Sequence, residues 1–307
     1  MSSTLDYLPA NQSFLDPVRA NAENPALARA VVVPFGLEAS VSYGAGTALG
    51  PAAILRASQQ LELYDEELGC EPYLHYGVAA LREPPIAKPI EAALDQLEHL
   101  VEGVLAADKF PLVLGGEHSL TVGAVRPLLA RHNDLVVLQF DAHADLRDGY
   151  LGERYSHAAA MRRVLDNPGV SLVSLGIRAI SEAEAEFIES NRDRITIHWA
   201  KDQAAWDEDS ILQRLRGRAV YISFDIDALD AAVMPATGTP TPGGLGYWQV
   251  LSILRKACGV ANVVGADLVE FAPIAGLHAF DYTAAALAYK LLSYALSARY
   301  SRDGLSH

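Results

Sequence analysis

The chain has 307 residues, half of them apolar and a fifth charged, enough material for one large α/β domain or two smaller ones. A formal net charge of −14 argues against nucleic-acid or anionic-membrane partners, and no apolar run approaches the roughly 18–20 residues of a membrane span. Cys70 and Cys258 are far apart and in no metal-ligand spacing, and the N-terminus lacks a basic start followed by an apolar core, so a reducing, cytoplasmic setting is expected.

Residues 1–28 show little periodicity and are expected to form an arm over the domain or a subunit contact. Beyond them, short runs rich in Val, Ile and Leu alternate with longer amphipathic stretches. Strands are predicted at 30–35, 111–115, 135–140, 170–177, 195–199, 219–224 and 262–269. They lack the apolar–polar alternation of half-exposed strands, as expected where both faces are covered. Helices are predicted at 51–64, 89–107, 122–131, 157–165, 182–191, 209–216, 247–257 and 282–299. Pro51 suits a first helical position, and Ser181-Glu182-Ala183-Glu184 has the form of a capping box. The alternation predicts a parallel sheet sandwiched by helices. No linker, low-complexity tract or fixed repeat divides the chain, so residues 1–307 read as one domain.

Ligands of open parallel sheets bind beyond the carboxyl ends of the strands. Three predicted strands end in polar clusters: Gly115-Gly116-Glu117-His118-Ser119, Asp141-Ala142-His143-Ala144-Asp145, and Asp225-Ile226-Asp227. In extended chain, alternate residues share a side, so Asp141, His143 and Asp145 converge, as do Asp225 and Asp227. Two glycines let the backbone turn tightly before His118. Taken singly, each cluster also fits a helix-capping loop or a structural histidine. Together, six buried carboxylates and imidazoles would repel one another without a compensating cation. Oxygen and imidazole donors without thiolates suit Mn²⁺, Co²⁺, Ni²⁺ or Zn²⁺, and six ligands suit two ions better than one.

These residues resemble the ureohydrolases, the family of arginases, agmatinases and related guanidino-acid hydrolases, with agmatinases of prokaryotic type most similar. The likeness runs through SYGAGTALGPAAIL (42–55), GGEHS (115–119), FDAHADL (140–146), SFDIDALD (223–230), GTPTPGGL (238–245) and VEFAP (269–273). It implies an arginase-like three-layer α/β/α sandwich, with a parallel sheet of about eight strands, around two manganese ions, nickel or cobalt being alternatives. Carried over by motif, one ion would take His118, Asp141, Asp145 and Asp225, and the other His143, Asp141, Asp225 and Asp227. A guanidinium carbon is a poor electrophile, and two cations would acidify a shared water enough to attack it. The resemblance further implies that Asp145 assists proton transfer, that His157 shuttles the proton to the leaving amine, and that Glu270 receives the guanidinium. It also implies a homo-oligomer, trimer or hexamer.

The substrate is less legible. Arginases place an Asn where Arg147 stands and an aspartate where Ser181 stands, and both departures weigh against arginine. The stretches 42–69 and 145–163 look closely like agmatinases, which points to a small cationic guanidino substrate, agmatine, cleaved to putrescine and urea. Asp148 or Glu153 is the expected partner of its distal ammonium. Arg147 would oppose a cationic tail unless it is paired or turned away; facing the cavity, it would favour guanidinobutanoate or guanidinopropanoate. Deacetylases of related sheet would carry paired histidines, which this sequence lacks, and two-metal phosphoesterases would want basic groups for phosphate and have motifs that do not match it. A metal-binding scaffold relative without activity is the alternative from another class.

Overall fold

The computed structural model describes residues 5–302, with side chains through 297. Eight strands form one sheet: β1 (Ala30–Phe35), β2 (Val78–Ala80), β3 (Phe110–Gly115), β4 (Val136–Phe140), β5 (Ser171–Ile177), β6 (Ile195–Trp199), β7 (Ala219–Asp225) and β8 (Asn262–Val269). Their spatial order is β2-β1-β3-β8-β7-β4-β5-β6, with every neighbour parallel.

Alternate residues of each strand feed two separate cores. On one face, Val136, Leu138 and Phe140 of β4 and Val220, Ile222 and Phe224 of β7 pack with residues of α1 (Gly50–Ser58), α8 (Tyr247–Val260) and α9 (His278–Arg302). On the other, Val137 and Tyr221 join α3 (Ile90–Ala106), α4 (Thr121–Leu129) and α5 (Ala160–Leu165). Two-sided burial explains the missing alternation, and the result is the expected three-layer sandwich. Helices α2 (Tyr73–Tyr76), α6 (Glu182–Ser190) and α7 (Glu208–Leu215) complete the described set. The capping box is present: the Ser181 amide donates to Glu184 Oε2 at 2.8 Å, and the Glu184 amide donates to Ser181 Oγ at 3.4 Å.

Some boundaries differ from expectation. The first helix stops at Ser58 rather than residue 64, and there the Ser58 hydroxyl donates to the Leu55 carbonyl and accepts the Leu15 amide, tying the helix end to the N-terminal segment. Strand β2 has three residues and α2 has four, too short to show periodicity in sequence. Within the first 28 residues, 5–28 are described and 1–4 lie outside the described residues. Leu8 donates to the Ala80 carbonyl at 2.9 Å, and Phe14 and Leu15 are fully buried, so this segment covers the outer edge of β2.

Candidate metal and guanidine site

The central four strands, β3-β8-β7-β4, carry His118, Glu270, the Asp225–Asp227 pair and the Asp141–Asp145 run at or just past their carboxyl ends. Adjacent strands lie about 4.8 Å apart, so these side chains meet in one small volume. His118 enters through a close approach: a side chain at Gly116 would lie 2.0 Å from the Leu37 carbonyl oxygen. Asp145 (φ 53°) and Glu270 (φ 61°) both occupy the left-handed region, an uncommon state that the surrounding structure must enforce.

Two clusters result. His118 Nδ1 stands 3.1 Å from Asp141, 3.0 Å from Asp145 and 3.4 Å from Asp225, all through Oδ2. His143 Nδ1 stands 3.0 Å from Asp227 Oδ2 and 3.7 Å from Asp141 Oδ1. Asp141 belongs to both groups, and the sets His118–Asp141–Asp145 and Asp141–His143–Asp227 each bring ligand atoms close enough to hold an ion.

Donor chemistry and one buried atom test whether a metal fits. His118 Nδ1 is buried and has no hydrogen-bond partner in good geometry among the described residues, although three carboxylate oxygens surround it. The ring's other nitrogen, Nε2, lies 2.8 Å from Ser223 Oγ, whose proton goes to Asp267 Oδ1 at 2.9 Å. In the neutral ring, donation by Nε2–H leaves a lone pair on Nδ1 aimed among three carboxylates, which is what a divalent cation requires. The residues fit the group.

Charge balance points the same way. Burial works to lower His143, but Asp141 and Asp227 push it up to about 12. Burial likewise opposes the charged form of His118, and Asp141, Asp145 and Asp225 raise it well above the ordinary range. Asp145 and Asp225 are raised by burial and then by neighbouring carboxylates, whereas hydrogen bonds from the two histidines overcome burial and hold Asp141 low. Such a set is short of positive charge.

A belt of polar residues lies in register beneath the ligands: Ser174 beside Gln139, Gln139 beside Ser223, Ser223 beside Asp267. All four are fully buried. Ser174 donates to Gln139 Oε1 at 2.6 Å, and Gln139 donates to Asp141 Oδ2 at 2.8 Å. Asp267 accepts Tyr221, Thr121 and Ser223 hydroxyls at 2.8–2.9 Å. Sequence reasoning, drawn to the strand ends, missed these four. Their mark in the sequence is a polar residue set inside an apolar strand, at the same level in β5, β4, β7 and β8.

A cavity of about 200 Å³ opens over the clusters, lined among others by His143, Asp145, His157, Asp225, Asp227 and Glu270. Glu270 Oε1 accepts the His118 amide at 2.7 Å, and burial pushes this carboxyl up to about 8. Asp148 and Glu153 do not line the cavity. Asp148 pairs outside it with the guanidinium of Arg163, a buried cation that needs a carboxylate, and Glu153 accepts the Tyr155 amide at 2.8 Å within its own turn. Glu184 lines the wall instead, with Arg147, Tyr150, Ser42 and Thr239. Its capping role gave no hint of this, because only the fold brings the start of α6 beside the residues after β4. Arg147 does face the cavity: its Nε is 3.7 Å from Glu184 Oε2 and its guanidinium lies 4.9 Å over the Tyr150 ring.

A sequence model described as the arginase family matches residues 28–296. The chain belongs to that family. It is 37% identical over 278 residues to an N(1)-aminopropylagmatine ureohydrolase of Synechocystis, covering 87% of this chain and 89% of that protein. It is 38% identical over 259 residues to an agmatinase of Bacillus cereus, covering 82% and 87%. The agmatine ureohydrolase of Thermoplasma volcanium superposes with a TM-score of 0.82 at 31% identity, covering 98% of this chain and 97% of that one. Arginase-family membership makes the chain an amidinohydrolase, with clusters of the kind that family uses for its metal pair.

Proposed function

We propose that the protein hydrolyses agmatine, or an agmatine bearing an extended cationic tail, to urea and the corresponding amine, with manganese as the metal. The carrying observation is that Glu270, a buried carboxylate held by the amide of a ligand candidate, shares one cavity with both His/Asp clusters. His118, Asp141, Asp145 and Asp225 would hold one ion, and His143, Asp141, Asp225 and Asp227 the other. A bound pair supplies an acidified water and absorbs the charge that develops on the guanidino group.

The chain's own groups do the rest. Glu270, reluctant to ionise unpaired, favours a guanidinium partner and sets the carbon over the clusters. Asp145 accepts a proton from the attacking water, and His157 delivers one to the amine nitrogen as the C–N bond breaks. Support for a cationic tail comes from the relatives' names and from the acidic balance of the chain, and the pairing of Arg147 with Glu184 and its place over Tyr150 reduce the repulsion such a tail would meet. The presence of Arg147 in the wall favours a second reading, a guanidino acid with a distal carboxylate. Family membership supports a homo-oligomer, and two free cysteines support a reducing cytoplasm.

Urea release from agmatine, aminopropylagmatine, guanidinobutanoate and arginine, with Mn²⁺ supplied, tests the proposal. Turnover of an agmatine compound above the others is expected. Preference for guanidinobutanoate selects the second reading, and activity on arginine alone overturns both.

A further inference from the structure

A chain of hydrogen bonds runs behind the cavity from His157 to a carboxylate that the reaction does not otherwise use. Glu117 is fully buried. Its Oε2 accepts the amides of Ala39 and Ser40, each at 2.6 Å, while its Oε1 accepts the hydroxyls of Ser119 at 2.6 Å and Ser40 at 2.8 Å. Ser40 Oγ in turn accepts the His157 amide at 2.9 Å and lies 3.1 Å from His157 Nδ1. The Ser156 hydroxyl is farther from Nδ1, at 3.4 Å, and Ser42 Oγ stands 3.4 Å from Nε2 on the cavity side.

Proton counting decides the roles. A carboxylate cannot donate, so the single Ser40 proton is directed to Glu117, and the hydroxyl oxygen has only lone pairs left for His157. The backbone N–H fills one of them. The other is filled only if Nδ1 carries a hydrogen. In the neutral ring, Nε2 is then the bare nitrogen, on the cavity side.

We infer that Ser40 and Glu117 are positioning residues that hold His157 in its Nδ1–H tautomer, so that Nε2 alone receives and returns the proton. This rests on His157 being the proton carrier. In the step itself, Nε2 takes a proton and the ring becomes imidazolium, with Nδ1–H still bonded to Ser40. The Nε2 proton then passes to the amine nitrogen, which keeps the electron pair of the breaking C–N bond, and the ring returns to its Nδ1–H form. Glu117 stabilises the imidazolium through Ser40, by the logic through which a buried carboxylate orients the histidine of a catalytic triad. Asp145, Glu270 and Arg147 face the same cavity, and the Tyr150 ring meets the imidazole edge-on at 6.2 Å. None of these supplies an acceptor at Nδ1.

A double-mutant cycle on the manganese-loaded protein tests the inference, with metal content checked for each variant. Ser40→Ala is expected to lower kcat about tenfold, a fraction of the range for general acid–base catalysis, with KM and bound metal unchanged. Ser40→Thr, which keeps the hydroxyl, is expected to restore most of the rate. In a His157→Ala background, Ser40→Ala is expected to add nothing, because Ser40 acts only through that ring. Losses that multiply in the double variant would show that Ser40 merely supports its loop, and would overturn the inference. Wild-type kcat in Ser40→Ala would do the same. Full activity in His157→Ala alone would instead remove the proton-carrier reading, and the positioning role would go with it.

Discussion

The amide of His118 donates to Glu270 Oε1 at 2.7 Å, so the residue assigned to a metal ion also orients the carboxylate assigned to the guanidinium. One oxygen of Glu270 is fixed by backbone, which leaves the other for the proposed guanidinium contact. Glu270→Gln keeps the shape and the amide contact but removes the charge. A hydrogen bond to a charged group contributes about 1.5–3 kcal/mol, so kcat/KM should fall roughly 10- to 100-fold with metal content unchanged. Steady-state kinetics beside metal analysis checks this; unaltered kinetics would remove Glu270 from the substrate site.

The belt beneath the ligands makes a separate prediction. Ser223→Ala deprives His118 Nε2 of its acceptor at 2.8 Å while leaving every proposed ligand in place. Loss of such an orienting contact typically weakens metal binding about 10- to 100-fold. Manganese titration followed by electron paramagnetic resonance measures it directly, and wild-type affinity would show that the belt serves packing alone.

Chelation should expose an unusual pH dependence of stability. In the chain alone, Glu270 is raised to about 8 and His143 to about 12, while His118, Asp145 and Asp225 are also raised. A raised value means that the folded state holds the proton more tightly than the unfolded one. Its stabilising contribution is full below the unfolded value, near 4 for carboxyls and 6.5 for histidine, and is lost as pH climbs through the folded value. Asp141, held low, runs oppositely, but it is outnumbered. The Tm of chelated protein should therefore fall from about pH 5 to pH 9. Manganese, which competes with those protons, should flatten or reverse the slope. A chelated Tm that rises with pH across this span would contradict the charge balance described for the site.

Arg147 offers the clearest handle on substrate choice. Arg147→Ala removes a half-exposed cation from the wall and frees Glu184 Oε2 of that cationic neighbour. For a cationic tail, kcat/KM should hold or rise; for a carboxylate tail it should fall by about threefold, the scale of a partly exposed ion pair. The ratio of the two substrates, measured on one preparation, reads the effect. An unchanged ratio would mean that Arg147 contacts neither tail.

Much of this was legible in the chain itself, for a physical reason. A strand covered on both faces is mostly apolar, so Asp141, His143 and Asp145 at the end of β4 stand out, and their alternation brings them to one side. The adjacency of β3, β8, β7 and β4 was not legible, since strand order is a long-range outcome; it brings Glu270, distant in sequence, against His118. Nor could spacing reveal that Asp148 would be taken by Arg163 while Glu184 faces the cavity. The roles of Ser40, Glu117, Gln139 and Asp267 emerge only from hydrogen bonds between separate elements.

The turn after β4 carries a consequence of its own. Tyr150 and Glu153 exchange backbone hydrogen bonds at 2.9 Å in both directions around Leu151 (φ 52°) and Gly152 (φ 86°), the geometry of a two-residue type I′ turn. Tyr150 lines the cavity from this self-closed ribbon, whereas the candidate ligands spring from strand ends locked into the sheet. Substitutions at Leu151 and Gly152, the ribbon's tip, thus leave those anchors untouched, whereas a change at Tyr150 reaches both the cavity wall and the ring of His157.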